Sequence, residues 1–322
     1  MTDIPREPDH RIPVGISACL IGEEVRYNGG HKRHRYVQEV MGRHFRYIPL
    51  CPEVAIGLGV PRPPIRLVGD PERPRAVESD NPERDSTDAL AAYGREQAHG
   101  LHGEISGYIL KAKSPSCGME RVKVYDHKGM PSGNGRGIFA AALMEQHPTL
   151  PVEEEGRLND PAIRDNFVER VYVYDRWRQL VAGGLTAGRL VDFHTRHKFL
   201  ILAHDQLAYR ELGRLMASAG EADIETLAGQ YLKQLMAALS KHASRRDHSN
   251  VLLHVAGYFK RHLDADDRQE LSDTIHAYRR GEQPLLVPLT LLRHHLRRHP
   301  EPYLANQQYL DPFPRELGSG ER

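Results

Sequence analysis

The sequence predicts an α/β domain, with a mainly parallel Rossmann-like sheet and helices on both faces, followed by an all-α helical domain. From Arg11 to about Glu154, short apolar runs alternate with helical stretches. After the acidic run at 153–155, Asn159-Asp160-Pro161 predicts a helix start, and only helical periodicity follows. The chain has 322 residues and 39% hydrophobic content, which is enough for two packed cores. We therefore predict domains at 1–160 and 161–322.

The elements of the first domain follow from apolar runs bounded by Gly or Pro, which are typical of buried strands. Strands are expected near 12–18, 45–50, 107–112 and 121–125, and helices near 34–42, 87–102 and 137–146. Helices that connect consecutive strands make those strands parallel. The segment from Gly57 to Arg84 is dense in Pro and Arg and is predicted to be a long ordered loop or a flap.

Apolar residues of the second domain recur at helical spacing, as in the stripe that includes Leu190, His197 and Leu215. Similar patterns predict a helical bundle, with helices at roughly 221–242, 249–262, 265–280 and 285–299. The tail from Pro300 to Arg322 is rich in Pro, Tyr and Asn. It is predicted to wrap back over a surface of this domain.

The chain has three cysteines, Cys19, Cys51 and Cys117, and each ends a short apolar run. Parallel strands place their carboxyl ends at one sheet edge, where open α/β sheets bind ligands, so the three thiols are expected to converge there. The start of the chain lacks a secretory pattern and no apolar run reaches membrane-spanning length, which predicts a cytoplasmic protein with no membrane partner. In a reducing compartment, an odd number of cysteines favours metal or nucleophile chemistry over disulfides. The alternative is three inert buried thiols.

A metal site built on these cysteines suits an iron–sulfur cluster better than zinc. Structural zinc takes four protein ligands, commonly in Cys-x-x-Cys pairs, and the sequence has no such pair. A 4Fe-4S cluster normally takes four thiolates. With three thiolates from the protein, one iron stays open to substrate or water, and such an iron has an affinity for sulfur.

The cysteine motifs resemble those of the thiouracil desulfidase family over about residues 10–150. The resemblance is carried by Cys19-Leu20-Ile21-Gly22 with Val25-Arg26-Tyr27-Asn28-Gly29, by Cys51-Pro52-Glu53, and by Ser114-Pro115-Ser116-Cys117-Gly118. It implies that Cys19, Cys51 and Cys117 hold a 4Fe-4S cluster. It also implies that the open iron binds the thiocarbonyl sulfur of a thiolated pyrimidine, which leaves as sulfide without net redox change. Glu53 and Ser114 are implied to take part in the chemistry.

The residue types agree with these implied roles. Replacement of sulfur by oxygen requires water to attack the ring carbon, and Glu53, two residues from a predicted ligand, is placed to act as a general base. The structural alternative for Glu53 is a carboxylate that stabilises a helix N-terminus. Ser114 is predicted to orient water or to hydrogen-bond the ring, and its alternative role is to cap a turn.

Two further signals in the first domain are weaker. Ser132-Gly133-Asn134-Gly135-Arg136-Gly137 precedes a predicted helix, so its backbone N–H groups are candidates to bind phosphate or cluster sulfide, although an ordinary strand-to-helix turn explains them as well. The basic residues Arg26, His31, Lys32 and Arg33 are candidates to meet a nucleotide, or are solvated surface.

The second domain resembles the uncharacterised YbgA-type domain, from about Leu190 through Phe313-Pro314, with the motif Phe193-His194-Thr195-Arg196-His197-Lys198. We predict that His194, His197 and His204 are core histidines rather than metal ligands. Basic residues outnumber acids locally, with interleaved aromatic residues Tyr258, Phe259 and Tyr278. The basic set comprises Lys241, Arg245, Arg246, Lys260, Arg261, Arg268, Arg279, Arg280, Arg293, Arg297 and Arg298.

A basic helical domain fused to a desulfidase predicts that the thiolated base is presented within RNA, and chains of this type resemble desulfidases that convert 4-thiouridine to uridine in tRNA. The predicted partner is therefore tRNA carrying 4-thiouridine. Alternative interpretations are a desulfidase of free thiobases with a dimerising helical domain, a cluster-based redox or iron sensor, and a scaffold with inert thiols. The net charge of +1 does not choose among them.

Overall fold

The computed structural model describes residues 10–220 and 223–318, and the chain divides into two compact units after Asn159. The sequence start used to predict localisation lies outside the described residues, as do 221–222 in one predicted helix and 319–322 in the predicted tail. Within the described part of the chain, no helix is both long enough and apolar enough to cross a bilayer.

The first unit alternates strands and helices, as its sequence predicts. Its elements are β1 (Ile12–Ser17), α1 (Arg35–Glu39), β2 (Phe45–Leu50), α2 (Pro52–Ala55), β3 (Ile65–Asp70), β4 (Arg73–Glu78), α3 (Thr87–Leu101), β5 (Tyr108–Leu110), β6 (Val122–Tyr125), β7 (Pro131–Gly135), α4 (Ile138–Gln146) and β8 (Val152–Glu154).

A parallel four-stranded sheet in the order β2-β1-β5-β8 organises this unit. β1 pairs with β2 from Ile12 to Ser17, and its Val14 and Ile16 side chains are fully buried. Gly15 allows β1 to pack against β5, because a Cβ atom there would lie 2.3 Å from the Tyr108 ring. All four strands therefore direct their carboxyl ends to the same edge, as predicted.

A second, mixed sheet differs from the sequence prediction. The segment from Gly57 to Arg84, predicted to be a loop or flap, contains the antiparallel hairpin of β3 and β4. The predicted strand near 121–125 pairs with β3 as β6, in the order β4-β3-β6-β7, rather than joining the parallel sheet. The prolines obscured β4, which is an edge strand, where the missing N–H of Pro74 is tolerated.

In the described residues of the second unit, all regular elements are helices. They are α5 (Pro161–Ala182), α6 (Ala187–His204), α7 (Gln206–Ala217), α8 (Ile224–Leu239), α9 (Arg245–Tyr258), α10 (Ala265–Arg280), α11 (Leu286–Arg298) and α12 (Pro302–Ala305). The predicted start of the first helix is confirmed: Asp160 accepts hydrogen bonds from the N–H groups of Ala162 and Ile163, and Pro161 follows it.

Buried aromatic residues form part of the core of the second unit. Trp177 stacks on Tyr231 with 5.8 Å between ring centroids and meets Phe193 edge-on at 5.5 Å. The described tail packs back on the unit as predicted: Gln307 donates a hydrogen bond to the Thr195 carbonyl.

The histidines predicted to lie in the core do so. His194 and His197 are 3% and 1% exposed, and desolvation lowers their pKa values to about 4 and about 3. His197 Nδ1 lies 2.7 Å from the Phe193 carbonyl, and His194 Nδ1 lies 3.2 Å from the Tyr231 hydroxyl. His204 Nε2 lies 2.6 Å from Glu169 Oε1.

Candidate active site

A cavity of about 310 Å³ lies at the carboxyl edge of the parallel sheet. Each cysteine follows one of its strands: Cys19 comes after β1, Cys51 after β2, and Cys117 after β5. All the residues predicted for the site line this cavity, namely Cys19, Cys51, Glu53, Ser114 and Cys117. The fold therefore brings together side chains that are separated by up to about a hundred positions in sequence.

The three cysteines are free thiols. Cys19 and Cys117 are buried, and desolvation raises the pKa of Cys19 to about 11 and that of Cys117 to about 12. Burial also raises the pKa of Cys51, whose Sγ lies 3.7 Å from the Val25 carbonyl oxygen. In the absence of a metal, these thiols are therefore held in the protonated form.

The chemistry of the three thiols suits an iron–sulfur cluster. Among the residues that the structure describes, no group of three or more His, Cys, Asp and Glu side chains is arranged to hold one metal ion. Three free thiols around one cavity match the preference of iron–sulfur clusters for thiolate ligands, and a cuboidal cluster spans more space than an ion. The assignment of these thiols as ligands remains a prediction.

Glu53 forms a buried ion pair that the sequence analysis missed. Arg62 donates from Nε and Nη2 to Glu53 Oε2, at 2.9 and 2.7 Å, and its side chain is only 4% exposed. Nη1 of Arg62 donates to the carbonyl oxygens of Val25 and Gly59. This charge-assisted contact fixes the carboxylate in orientation. In the sequence, Arg62 lies between two prolines in a segment predicted to be a loop, and this position was the feature that could have drawn attention to it.

The second oxygen of Glu53 contacts Ser116, not Ser114. Ser116 Oγ donates to Glu53 Oε1 at 2.6 Å, and the Ser114 hydroxyl lies 2.9 Å from Ser116 Oγ. Ser114 Oγ also accepts a hydrogen bond from the Cys117 N–H, so its alternative role in the turn is observed. The two serines thus connect the carboxylate to the turn that carries the third cysteine.

A lysine that the sequence analysis did not single out also lines the cavity. Lys111 follows β5, and its Nζ donates to Glu155, the residue after β8, at 2.5 Å. Glu155 accepts a second hydrogen bond from the Ala112 N–H at 2.6 Å. Glu155 therefore ties together the ends of neighbouring strands and positions the start of the Ser114–Cys117 turn.

The glycine-rich motif before α4 supports the cysteine turn and is not free to bind an anion. Its first four residues all belong to β7, which pairs with β6. At the start of α4, the N–H groups of Ile138 and Ala140 donate to the carbonyls of Pro115 and Ser116. A Cβ atom at Gly137 would lie 2.6 Å from the Ser116 carbonyl, so only glycine allows this close approach.

The basic stretch after Cys19 is divided by the fold. Arg26 and Lys32 line the cavity, and the Arg26 guanidinium lies 5.3 Å from the Tyr27 ring centroid. Arg33 forms an ion pair with Glu39 at 3.2 Å instead. His31 accepts a hydrogen bond from the Arg33 N–H. Within this basic stretch, Arg26 and Lys32 are therefore the residues that bring positive charge to the cavity.

The predicted basic set of the second unit is also divided. Intramolecular contacts engage Lys241, Arg245, Arg268, Arg280 and Arg293. Ten of the eleven members are exposed, including Arg246, Lys260, Arg261, Arg279, Arg297 and Arg298, whereas Arg293 is half-buried. Of the aromatic residues interleaved with this set, Phe259 and Tyr278 are buried, at 1% and 4% exposed, and Tyr258 is 42% exposed.

Comparison with known proteins matches the two halves separately. Residues 14–155 match the family described as 2-thiouracil desulfurase, and residues 198–314 match a family of unknown function, DUF1722. The uncharacterized protein YbgA of Escherichia coli (strain K12) is 40% identical over 154 residues, which cover 48% of this chain and 91% of that protein. The uncharacterized protein YbbK of Bacillus subtilis (strain 168) is 29% identical over 153 residues, 45% of this chain and 97% of that protein.

One solved structure is similar to part of the chain. It is a 4Fe-4S-dependent thiouracil desulfidase, TudS, with 32% sequence identity and a TM-score of 0.36. The similarity covers 46% of this chain and 94% of that one.

Proposed function

We propose that this chain is a desulfidase of thiolated uracil. The chain belongs to the YbgA family, and it carries a 2-thiouracil desulfurase domain over residues 14–155. The proposed reaction converts 4-thiouridine in tRNA to uridine. The oxygen of water replaces the ring sulfur, which leaves as hydrogen sulfide, so no electrons are gained or lost. The supporting observation is that the three cysteines and Glu53 line one cavity.

Cys19, Cys51 and Cys117 are the residues that would hold a 4Fe-4S cluster. When bound, the cluster supplies an iron with affinity for the sulfur of the substrate. Release of the thiol protons is coupled to binding of such a group, because burial otherwise keeps these thiols neutral.

The residues of this chain that handle protons are Glu53 and its serine partners. Arg62 occupies Oε2 of Glu53, so Oε1 is the oxygen that takes a proton from the attacking water. The Ser116 hydroxyl now donates to Oε1, but it can rotate toward Ser114 and release that oxygen for water. Glu53 then returns the proton to the departing sulfur, and it passes on the second proton of the water in the same way when the new carbonyl forms, so the sulfur leaves as hydrogen sulfide. Ser114 keeps its predicted role of orienting water through this hydroxyl pair.

The RNA substrate is proposed from the second unit. It exposes ten of the eleven arginine and lysine residues of the predicted basic set, which suit contacts with a phosphate backbone. To react, the thiolated base leaves its stack and enters the cavity.

The test is anaerobic reconstitution with iron and sulfide, followed by incubation with 4-thiouridine-containing tRNA or with free 4-thiouracil. We expect uridine and sulfide in equal amounts, and faster turnover of the tRNA. Equal turnover of both substrates would favour a small-molecule desulfidase. Iron-loaded protein that releases no sulfide from either substrate would contradict desulfidation and favour the sensor. Protein that binds no iron would contradict the cluster.

A further inference from the structure

A groove of about 520 Å³ in the second unit combines stacked aromatic rings with positive charge. Tyr258 and Tyr303 stack with 5.6 Å between ring centroids and an interplanar angle of 15°. Phe199 supports both rings edge-on, at 6.4 and 6.0 Å. Tyr258 is 42% exposed, so one ring of a supported stack is open to the solvent.

The helices present the groove residues at regular intervals. Asn250, His254 and Tyr258 are spaced four apart on α9 and therefore lie on one face of that helix. α7 contributes Tyr209 and the exposed Arg210. This arrangement fixes the aromatic rings on rigid elements, with the cations at the ends of flexible side chains.

The charge of the groove is positive. Lys198 and Arg210 line it together with neutral polar side chains, and no Asp or Glu is among its described lining residues. Such a surface suits a ligand with flat rings, which can stack on the exposed tyrosine, and with anionic groups at regular intervals. Single-stranded nucleic acid has both features: aromatic side chains stack on its bases, and arginine and lysine contact its phosphates.

We infer that this groove binds an unpaired stretch of RNA, with a base stacked on Tyr258 and phosphates near Arg210 and Lys198; this rests on the proposed RNA substrate. The groove lies among α6, α7, α9 and α12, so it adds an aromatic binding surface to the basic residues predicted from sequence. The basic residues supply positive charge, but Phe259 and Tyr278, which are interleaved with them in sequence, are buried and cannot stack on a base.

The probe is a fluorescein-labelled single-stranded oligouridylate, titrated with the full-length protein. Tyr258→Leu removes the ring but keeps an apolar side chain, and we expect its affinity to fall about 5- to 100-fold, the range for loss of one stacked base. Tyr258→Phe keeps the ring and should bind within about twofold of the unchanged protein. Leu253→Ala alters an equally exposed apolar side chain of α9 outside the groove lining and should bind like the unchanged protein.

Arg210 has a matched control on the same helix. Arg210→Gln should weaken binding and reduce the slope of log affinity against log salt by about one. Arg214→Gln, one turn further along α7, removes an exposed arginine outside the groove lining and should leave that slope nearly unchanged.

The outcomes separate this inference from the proposed function. Unchanged oligouridylate binding by Tyr258→Leu, or equal loss in Tyr258→Phe, would overturn the stacking site, as would failure of the unchanged protein to bind the probe. Desulfidation of free 4-thiouracil is measured for each variant and should stay constant. A protein that binds oligouridylate through Tyr258 but releases no sulfide from any thiopyrimidine would support the groove and contradict the desulfidase.

Discussion

The cavity of the first unit and the groove of the second use charge in opposite ways. In the cavity, Arg62 and Lys111 are paired with the carboxylates of Glu53 and Glu155, and all four side chains are less than 20% exposed. In the groove, Arg210 is exposed, and the lining residues that the structure describes include no carboxylate. The cavity is therefore organised before substrate arrives, which suits chemistry, whereas the groove can adapt to a flexible ligand.

This difference predicts large effects of cavity variants and graded effects of groove variants. The largest effect is expected for Cys117→Ala. Cys117 is 5% exposed, and the change removes little volume, so the protein should fold but lose its iron-dependent absorption after anaerobic reconstitution. Iron content and visible absorption measure this, with circular dichroism as the folding control. Full retention of the iron absorption would show that the thiol is not a ligand.

Glu53→Gln should separate chemistry from cluster binding. The amide oxygen can still accept the hydrogen bonds from Arg62, and the amide NH2 can donate to the Ser116 hydroxyl in place of accepting from it. The amide cannot take a proton, so the rate should fall by about 10²- to 10⁴-fold with iron content unchanged. Single-turnover sulfide release checks this. Glu78→Gln, a carboxylate outside the cavity lining, is the control and should keep its activity. A colourless Glu53→Gln protein would contradict the assignment of Glu53 to proton transfer alone.

Arg62→Met tests how far the cavity depends on its buried pair. The change leaves Glu53 charged and unpaired, which costs about 3–5 kcal/mol of the free energy of unfolding. Arg84 pairs with Glu78 at the surface, where its side chain is 71% exposed, and Arg84→Met should cost at most about 1 kcal/mol. Urea unfolding of the two variants, followed by tyrosine circular dichroism, compares them directly. Similar losses would mean that burial adds nothing to the Arg62 pair.

Local patterns in the sequence account for the parallel sheet and the convergence of the cysteines. β1 and β2 are apolar runs that end at Cys19 and Cys51, and the rule that parallel strands share a carboxyl edge supplies the rest. Pro49 in β2 did not prevent the strand prediction, and as a residue of an edge strand it needs no partner for a missing N–H.

Features that depend on distant partners could not be predicted in the same way. The hairpin of β3 and β4 joins a sheet through β6, more than fifty residues away, and its prolines resemble those of a loop. Arg62 pairs with Glu53 because the fold brings both residues to the lining of the cavity. Tyr258 and Phe259 are adjacent in sequence, yet one is exposed and the other is buried, since tertiary packing decides which helical face is covered.

The last expected effect is a dependence of stability on pH, to which two buried histidines of the second unit contribute. His194 and His197 have pKa values of about 4 and about 3 in the folded chain and ordinary values near 6.5 when unfolded. Between these values the unfolded chain binds more protons, so stability falls as pH drops below 6.5, by up to about 1.4 kcal/mol per pH unit for each histidine. Nearby Arg176, Arg196 and Lys198 also disfavour the imidazolium.

The single tryptophan, Trp177, reports this change selectively, because it lies in the second unit against Phe193 and Tyr231. Urea unfolding followed by tryptophan fluorescence should show a midpoint that falls between pH 6.5 and pH 4. His197→Phe removes one titrating ring while keeping an aromatic side chain, and it should flatten that dependence by about half within the window that the two histidines share. An unchanged slope would place the acid sensitivity elsewhere, and the buried histidines would then contribute packing without a proton-linked cost.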